Sequence, residues 1–517
     1  MEAEQEKQVH KWLIALSMMT GSLMVSINGS IVSVALPQMR GSLGATVEEI
    51  AWVPTGFILS SVIIMPIVAM LSSRFGRKRF LIFSALLFAV SSFFCGLAWN
   101  LESLIFFRIF QGLGGGPLMP LAQAVLRETF PPREQAKAMG IYGFGIVLGP
   151  SFAPLLGGWI TDHYSWPWIF FVSVPISILN VILVTRFIHD PPYLIREKGK
   201  IDFYGLFFLC AGLGGLQIML ERGQRKDWFS SDLIISLAVI ACLGLGLFVW
   251  RELTAEKPAV NLRILKDLNF SVGTTLAGVL GLAFMGGLFI LPLYLQQLLH
   301  YSAFDSGLAV LPRGLAMAII MVICGRLYNW AGPKWLVGIG LFIVAVSFYQ
   351  FSRFSLDAGY WDIFMIQFIQ GIGFGAIFVS LSTASLSTIE NPMMTSATGL
   401  YNVINQVSGS IGIALTATLL SWGVERNRLE MLKHITLFRD VTSEFLRTLS
   451  SYFFSRGIDQ IGADNRALKV LEVVVLRQST MMAYNYIYFI LAAVFLIAIL
   501  LAFLIKDERL SGFKKEY

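Results

Sequence analysis

The chain has 517 residues, of which 56% are hydrophobic and only 14% are charged, and its mean hydropathy is +0.70. This composition excludes an ordinary soluble globular protein and predicts a protein that crosses a membrane many times. The formal net charge of +7 resides mainly in loops, and no basic, aromatic-interleaved soluble domain is present, so nucleic-acid binding is not expected.

Fourteen apolar stretches are long enough to cross a bilayer as helices, which need about 20 residues each. The first is too long for a cleaved secretion signal, so we expect it to remain as an anchor. The predicted spans 1 to 14, numbered in this way throughout, are residues 12–36, 50–70, 80–98, 101–125, 138–161, 168–187, 203–221, 233–252, 270–295, 306–328, 335–352, 362–385, 398–422 and 481–505.

Lysine and arginine are concentrated on one side of these spans, which predicts the orientation in the membrane. With the N-terminus in the cytoplasm, the basic loops after spans 2, 4, 6, 8 and 10 and the tail after span 14 are cytoplasmic. The short outer loops keep only Arg40, Arg222, Arg225, Lys226 and Arg353. We therefore expect both termini in the cytoplasm. The four cysteines all lie in apolar spans, which predicts small core residues without disulfides.

Two pairs of similar segments indicate that part of the chain is duplicated. "AMLSSRFGRKRFL" after span 2 resembles "GRLYNWAGPKWL" after span 10, with Gly76 matching Gly332. "RIFQGLGGG" in span 4 resembles "QFIQGIGFG" in span 12, where Gln367 occupies the position of Arg108. Duplicated six-helix units that move against each other around a midplane site are typical of transporters.

The predicted fold is therefore an all-α membrane protein with two six-helix bundles and two inserted helices. An enzyme motif, a nucleotide-binding loop and a zinc-ligand pair are all missing from the sequence, so we predict a transporter without metal or cofactor. The predicted units are a first bundle at residues 1–190, inserted helices at 191–265, a second bundle at 266–505 with an outer loop at 423–480, and a tail at 506–517.

Arg108 is the most conspicuous residue within a predicted span, because a charge at membrane depth costs several kcal/mol unless it is paired or hydrated. Arg108, Gln111, Gly112 and Gly115 share one helical face, which is polar and small enough to line a cavity. The alternative is that Arg108 only braces neighbouring helices.

Span 5 carries small residues at four-residue spacing, a pattern that lets another helix approach closely. Two prolines in the same span each remove a backbone donor and bend the helix. The residues of this motif are Gly145, Gly149, Pro150, Ala153, Pro154, Gly157 and Gly158.

These motifs resemble the fourteen-span drug–proton antiporter branch of the major facilitator superfamily, the EmrB/QacA type. "SIVSVALP" resembles its span-1 motif, "LIFFRIFQGLGGG" its span-4 motif and "GIVLGPSFAPLLGG" its span-5 antiporter motif. "LQIMLERGQRKDWFSS" at 216–231 and the long loop before span 14 resemble the EmrB type more than the QacA type. The resemblance implies a pump of the bacterial inner membrane that works with a periplasmic adaptor and an outer-membrane channel.

The sequence departs from the family pattern at two positions. After span 2, where the family has roughly G-x-L-x-D-R-x-G-R-K, Arg74, Gly76, Arg77 and Lys78 match but Ser73 replaces the acid. The resemblance therefore implies a weaker charge-relay lock at the cytoplasmic gate.

At the second position, Asn28 stands where the family usually has aspartate, and an amide cannot titrate. Three interpretations stay open: coupling through another acid such as Glu221 or Asp305, a natural variant with altered coupling, or a deliberate replacement of aspartate that mimics its protonated form.

Other polar residues are candidates for the substrate cavity or the proton pathway, although helix–helix hydrogen bonds explain most of them equally well. Arg313 lies towards the outer end of span 10, where it could extend to the surface. The predicted cavity and proton-pathway residues are Asn28, Arg108, Gln111, Gln123, Glu221, Arg313, Gln367, Gln370 and Asn405.

The loop 423–480 contains two apolar-biased helical segments, "RLEMLKHITLF" and "RALKVLEVVVL", separated by a turn at "RGIDQIGADN". A hairpin that packs on itself and a docking surface for the adaptor are both consistent with this pattern.

The predicted function is proton-coupled export of hydrophobic drugs and weak acids by alternating access. Because Arg108 is the charge expected in the cavity and no carboxylate lies well inside a span, we expect weak acids and neutral lipophiles to be preferred over organic cations. The alternatives are a lipid or siderophore exporter and, from another class, a membrane-embedded transferase, for which clustered carboxylates are missing from the sequence.

Overall fold

The computed structural model describes residues 2–191, 202–255, 258–436 and 438–506, and the side chains from Lys11 onward within these ranges except Pro154 and Ala303. All regular structure in these ranges is helical, which is how an open chain satisfies its backbone hydrogen bonds in lipid. The all-α prediction is therefore confirmed. Some basic residues of the loops predicted to be cytoplasmic lie outside the described residues, namely those at positions 196, 198, 200 and 257 and those in the tail from 507.

Within the described residues, thirteen helical segments are long and apolar enough to cross a bilayer, and a bent pair of helices brings the number to fourteen. Each coincides with one predicted span. In order they are Lys11–Leu43, Val47–Phe75, Arg77–Gly96, Leu101–Thr129, Pro132–His163, Trp168–Phe187, Phe203–Arg222, Asp232–Thr254, Leu268–Gln297, Phe304–Ala331, Pro333–Phe351, Tyr360–Ser385, Asn391–His434 and Gln460–Ala502.

Several spans are interrupted or extended. Span 1 belongs to a helix that begins at Glu2, and span 5 bends by 42° between Pro132–Ala153 and Leu155–His163, where Pro154 intervenes in the sequence. Span 2 consists of Val47–Ile50, Trp52–Ile64, Met65–Ile67 and Val68–Phe75. Span 4 consists of Leu101–Gly115 and Leu118–Thr129, and span 6 of Trp168–Phe171 and Ser173–Phe187.

The two halves pack in the same way. In the first half, span 1 packs on spans 5 and 6, span 4 on spans 2 and 3, and span 3 on span 6. In the second half, span 9 packs on spans 13 and 14, span 12 on spans 10 and 11, and span 11 on span 14. Adding eight to each span number of the first half gives the contacts of the second, as expected for a duplicated unit.

Corresponding glycines allow corresponding helices to approach closely. A Cβ atom on Gly114 would lie 2.7 Å from the carbonyl oxygen of Ser84, and one on Gly373 would lie 2.9 Å from that of Gly340. Gly76 and Gly332 end spans 2 and 10 with φ values of +88° and +87°, which only glycine adopts without strain. The duplication seen in the sequence is thus repeated in backbone geometry.

The halves meet at two interfaces that correspond to each other, because spans 2 and 5 of the first half match spans 10 and 13 of the second. Span 5 packs along span 10, and span 13 packs on span 2 and on the second helix of span 4. Span 7 adds a link between the halves, because it packs on spans 2, 8 and 13. Its Gln217 donates a hydrogen bond from Nε2 to Ser410 Oγ of span 13 at 2.9 Å.

The segment 423–480 is more helical than predicted. The helix of span 13 continues to His434, and the last helix runs without interruption from Gln460 to Ala502, which confirms the predicted helical run at 466–476. A helix at Asp440–Ser455 was not predicted, and it packs on the last helix through a hydrogen bond of 2.5 Å from Ser450 Oγ to Asp464 Oδ1. Leu437, assigned to the first apolar run, lies outside the described residues.

Candidate functional site

Arg108 lies at the centre of a hydrogen-bond network inside the first half. Its side chain is completely buried. Nη1 donates to Asn28 Oδ1 and to Gln111 Oε1, each at 2.6 Å, and Nε donates to the carbonyl oxygen of Val53 at 3.0 Å. The guanidinium therefore ties together spans 1, 2 and 4, and at this depth each bond replaces one that water would otherwise supply.

The two amides that receive Arg108 extend the network to further spans. Asn28 donates from Nδ2 to Ser173 Oγ of span 6 at 3.3 Å, and Gln111 donates from Nε2 to Ser92 Oγ of span 3. Five polar side chains on spans 1, 3, 4 and 6 thus form one continuous chain of hydrogen bonds. Removing any middle member would leave buried polar groups without partners.

Aromatic rings complete the environment of Arg108. Its guanidinium carbon lies 4.5 Å from the ring centroid of Phe57 and 5.8 Å from that of Phe170. Nη2 is buried and has no hydrogen-bond partner, and no Asp or Glu among the described residues pairs with this arginine. Asn28 therefore occupies the position from which a carboxylate would neutralise the guanidinium.

The small-residue motif of span 5 lies against span 1. A Cβ atom on Gly149 would be 2.9 Å from the backbone nitrogen of Ile27, and one on Gly157 would be 2.8 Å from a side-chain carbon of Ile31. Gly145 approaches the side chain of Met19, and Ala153 is completely buried. The residue next to Asn28 is therefore held against span 5 directly before its bend.

Gly158 lies outside this contact, because a Cβ atom there would meet nothing within 4 Å. Other glycines of span 5 approach span 10 across the boundary between the halves. A Cβ atom on Gly143 would lie 2.8 Å from the sulfur of Met321. Span 5 thus packs closely on two helices of different halves.

A buried ion pair closes the face that carries the N-terminus. Arg77 donates from Nη1 and Nη2 to the two carboxylate oxygens of Glu128, at 2.5 and 3.0 Å. The same Nη2 donates to Thr395 Oγ1 of span 13 at 3.0 Å. Arg127 adds a second link between the halves through a bond of 3.2 Å from Nη1 to the carbonyl oxygen of Thr383.

The other residues of this predicted gate motif have different surroundings. Ser73 donates only within its own helix, to the carbonyl oxygen of Met70 at 2.9 Å, so it does not reach the Arg77–Glu128 pair. Lys78 is held through its backbone nitrogen, which donates to Asp190 Oδ1 at 2.8 Å. Arg74 lies in the last turn of the helix that Gly76 ends. Glu128, the acid that pairs with Arg77, belongs to span 4.

The second-half cavity candidates Gln367, Gln370 and Asn405 do not contact Arg108 in this conformation, since every described partner of Arg108 belongs to the first half. Gln123 accepts a hydrogen bond of 2.8 Å from Asn402 Nδ2, which joins span 4 to span 13. Asn405 donates from Nδ2 to the carbonyl oxygen of Ala277 at 2.8 Å and thereby joins spans 13 and 9.

Arg313 does not extend to the surface, contrary to one sequence expectation. It is only 3% exposed, and its guanidinium carbon lies 5.1 Å from the ring centroid of Phe284. Arg313 is buried because span 12 packs closely on span 10 at this position. A Cβ atom on Gly371 would lie 2.3 Å from the carbonyl oxygen of Arg313. The second half thus has its own buried arginine, on span 10 instead of span 12.

Glu221 lies at the end of span 7 against the first half. Its Oε1 accepts a hydrogen bond from Thr55 Oγ1 of span 2, while Oε2 is buried and has no described partner. The neighbouring Arg222 lies 4.2 Å from the ring centroid of Trp52, measured from the guanidinium carbon. The inserted helix therefore brings a carboxylate to the outer half of span 2, away from the Arg108 network.

Sequence reasoning missed several partners in these sites. Ser92, Ser173 and Thr395 are small hydroxyl residues in apolar helices, a type too common to single out. Glu128 carried a detectable signal, because it is an acid at the end of a span beside a basic loop. Its pairing with Arg77 still depends on how spans 3 and 4 meet.

Comparisons with known proteins agree with this architecture. Residues 18–413 match the family model described as Major Facilitator Superfamily. The chain is 35% identical over 445 residues to "Multidrug export protein EmrB" of Haemophilus influenzae, covering 86% of this chain and 87% of that one. It is 31% identical to "Fatty acid resistance protein FarB" of Neisseria gonorrhoeae, covering 96% and 97%. The human organic anion transporter MFSD10 has the same fold, with a TM-score of 0.62 at 13% identity over 95% of this chain and 99% of that one.

Proposed function

This chain belongs to the major facilitator superfamily and is a multi-pass membrane transporter, not an enzyme, and on that premise we propose that it is a proton-coupled exporter of hydrophobic compounds and weak acids. Relatives named as multidrug export proteins support efflux as the direction of transport. We further propose that it resides in a bacterial inner membrane with both termini in the cytoplasm, as the basic loops predict.

The observation that carries this proposal is the pair of related interfaces between the halves. Spans 5 and 10 meet through glycines on one side, and spans 2 and 13 meet on the other. Each half is internally bonded, the first through Arg108 and its amides. Two rigid halves joined along two helix pairs can rock and so expose a central site to alternate sides.

The buried charges support weak acids over organic cations. Among the described residues, the charged residues that are buried as a whole are Arg77, Arg108, Arg127, Arg313 and Glu252. Four of the five are cationic. A desolvated cationic substrate needs a carboxylate or an aromatic cage, whereas an anionic substrate would be compensated by an arginine.

The proposed proton coupling requires a side chain that can carry a proton. The amide of Asn28 cannot carry a proton, although it lies where a carboxylate would pair with Arg108. Glu221 is the alternative carrier, because its unpartnered Oε2 could hold a proton while Oε1 remains bonded to Thr55. We propose that Glu221 couples proton entry to export in the chain as it stands, and that an aspartate in place of Asn28 would add a second proton carrier beside Arg108.

We also propose that the segment 423–480 docks a periplasmic adaptor that leads to an outer-membrane channel. Apolar side chains stand exposed on it, including Leu429 at 53%, Val441 at 80% and Phe438 at 98%. Apolar residues so exposed in one segment are typical of surfaces that pack on lipid or on a partner protein.

The narrower alternative is an exporter of amphipathic lipids such as fatty acids. The relative named as a fatty acid resistance protein covers nearly the whole chain and supports this substrate group, which is itself a class of weak acid. No observation on the described residues favours a siderophore exporter.

Transport into inverted membrane vesicles tests the proposal, with a panel of one lipophilic weak acid, one neutral lipophile and one divalent organic cation. We expect uptake of the first two, stimulation by a proton gradient and little uptake of the cation. Preferential uptake of the cation would contradict the substrate assignment. Uptake at the same rate with and without a proton gradient would contradict proton coupling.

A further inference from the structure

The two halves differ in how their buried polar groups are satisfied. In the first half, Arg108 and Gln111 are bonded to neighbouring side chains. At the corresponding positions of span 12, Gln367 is completely buried with neither amide atom bonded, and Nε2 of Gln370 is buried without a partner. Unpartnered amides at this depth cost free energy, which a ligand or water bound there would offset.

Arg313, on the neighbouring span 10, lacks an anionic partner. Among the described residues, none accepts a hydrogen bond from it or forms an ion pair with it, although it is only 3% exposed. Its guanidinium carbon lies 5.1 Å from the ring centroid of Phe284. Such a cation–π contact offsets only part of the free-energy cost of burying a guanidinium.

Helix geometry brings these groups to one level. The carbonyl oxygen of Arg313 lies against Gly371, and Gln367 precedes that glycine by one helical turn. Spans 10 and 12 run in the same direction, and helical side chains lean towards the N-terminus of their helix. The guanidinium of Arg313 therefore leans towards the level of Gln367.

Span 14 supplies the third side of this cluster. Tyr488 is close enough to interact electrostatically with Arg313, and its hydroxyl is buried without a hydrogen-bond partner. Tyr484, one turn earlier, also has a buried, unpartnered hydroxyl. Rings of Phe348 and Phe351 stack on Tyr488 at centroid distances of 6.2 and 5.1 Å, which gives the cluster an apolar wall.

The groups of this cluster can all donate hydrogen bonds. A guanidinium, two amide groups and two phenols present N–H and O–H groups, and no carboxylate of the described residues pairs with Arg313. We propose that Arg313, Gln367 and Tyr488 bind the carboxylate head group of an amphipathic substrate, with its apolar part against the neighbouring aromatic rings. This inference rests on the proposed export of weak acids and assigns their head group to span 10 instead of Arg108.

Binding of a matched pair of ligands tests the proposal on the full chain in lipid nanodiscs. Decanoate and decanamide share one alkyl chain and differ in the charge of the head group. Calorimetric titration should give tighter binding of decanoate to the wild-type protein. Arg313→Met should weaken decanoate binding by about tenfold or more, as expected for loss of a charge-assisted hydrogen bond, and should change decanamide binding by less than about twofold.

Two further variants separate binding from folding. Tyr488→Phe removes one hydroxyl without changing the ring packing, and it should weaken decanoate binding selectively even if Arg313→Met proves unstable. Arg353→Met is the matched control, because Arg353 lies in an outer loop where it stacks on Tyr349 at 5.5 Å. It should leave both ligands unaffected.

The proposal would be overturned if the variants weakened the binding of both ligands equally, or if Arg313→Met and Tyr488→Phe left decanoate binding unchanged. Buried water would then be the occupant. Failure of the wild-type protein to distinguish the two ligands would overturn it as well. Selective decanoate binding without decanoate uptake into vesicles would support the cluster and contradict the proposed export function, so the two failures are distinguishable.

Discussion

The guanidinium of Arg108 donates a 2.6 Å hydrogen bond to the amide oxygen of Asn28, a residue 80 positions earlier in the chain. A neutral amide and a cation thus meet at a completely buried position. A carboxylate in the same place would accept the same bond and add a charge that a proton can cancel. This pair therefore decides whether span 1 takes part in proton coupling.

Replacing Asn28 with aspartate should introduce proton coupling at this site. We expect substrate-driven proton flux in proteoliposomes to rise roughly tenfold, the change that about 1.4 kcal/mol produces. The gain should fade as the pH falls, because the introduced carboxyl group, once protonated, resembles the present amide.

Asn180→Asp is the matched control, since Asn180 is a buried amide of span 6 whose Nδ2 donates to the Ser17 carbonyl oxygen at 2.6 Å. Arginine is not among its described partners, so no gain in flux is expected. An unchanged flux in Asn28→Asp would remove span 1 from the coupling mechanism and favour Glu221.

Arg108→Ala should abolish transport while the protein remains expressed and folded. The change removes three hydrogen bonds, and each buried group left unpaired costs about 1–3 kcal/mol. We expect export to fall by at least ~100-fold, which corresponds to about 2.7 kcal/mol. Arg108→Lys keeps the charge but cannot bond Asn28, Gln111 and Val53 together, so it should also transport poorly. Efflux at the wild-type rate in Arg108→Ala would exclude Arg108 from the transport cycle.

Glu128→Gln should open the face that carries the N-terminus. The substitution removes the carboxylate that accepts two hydrogen bonds from the buried Arg77, which should shift the conformational equilibrium by about 1–3 kcal/mol towards the open state. Spin labels at the exposed positions Arg133 and Glu390 can report the separation of the two halves. A longer distance is expected in the variant.

Ser73→Ala is the control for this experiment, because the Ser73 hydroxyl bonds only within its own helix. It should leave the distance distribution unchanged. An opening of equal size in both variants would contradict the assignment of the lock to Arg77 and Glu128.

Polar replacement of the exposed apolar residues Leu429, Leu432 and Phe438 should separate transport from resistance. We expect uptake into inverted vesicles to stay near the wild-type rate while drug resistance of intact cells is lost, because adaptor docking matters only in the complete system. Glu430→Gln with Lys433→Gln on the same helix is the control and should spare both. Equal loss in both assays would favour a folding role for this segment.

Amino-acid composition and local patterns were sufficient for the architecture. All fourteen spans were predictable because bilayer thickness sets the length of an apolar helix, a constraint that acts within one segment. The duplication was predictable from Gly76 and Gly332 because a helix ending at positive φ requires glycine, whatever surrounds it. Arg108 was recognisable for the same local reason, since a charge inside an apolar run is costly in any fold.

Tertiary structure alone decided which groups meet. The bonds from Arg108 to Asn28, from Gln111 to Ser92 and from Arg77 to Glu128 depend on the rotation and depth of separate helices. The sequence left open whether Arg313 lines the cavity or extends outward, whereas the structure buries it beside the closely packed Gly371. An apolar helix can turn any face towards lipid at similar cost, so side-chain packing between distant segments, which no local pattern records, fixes the partner of each buried polar group.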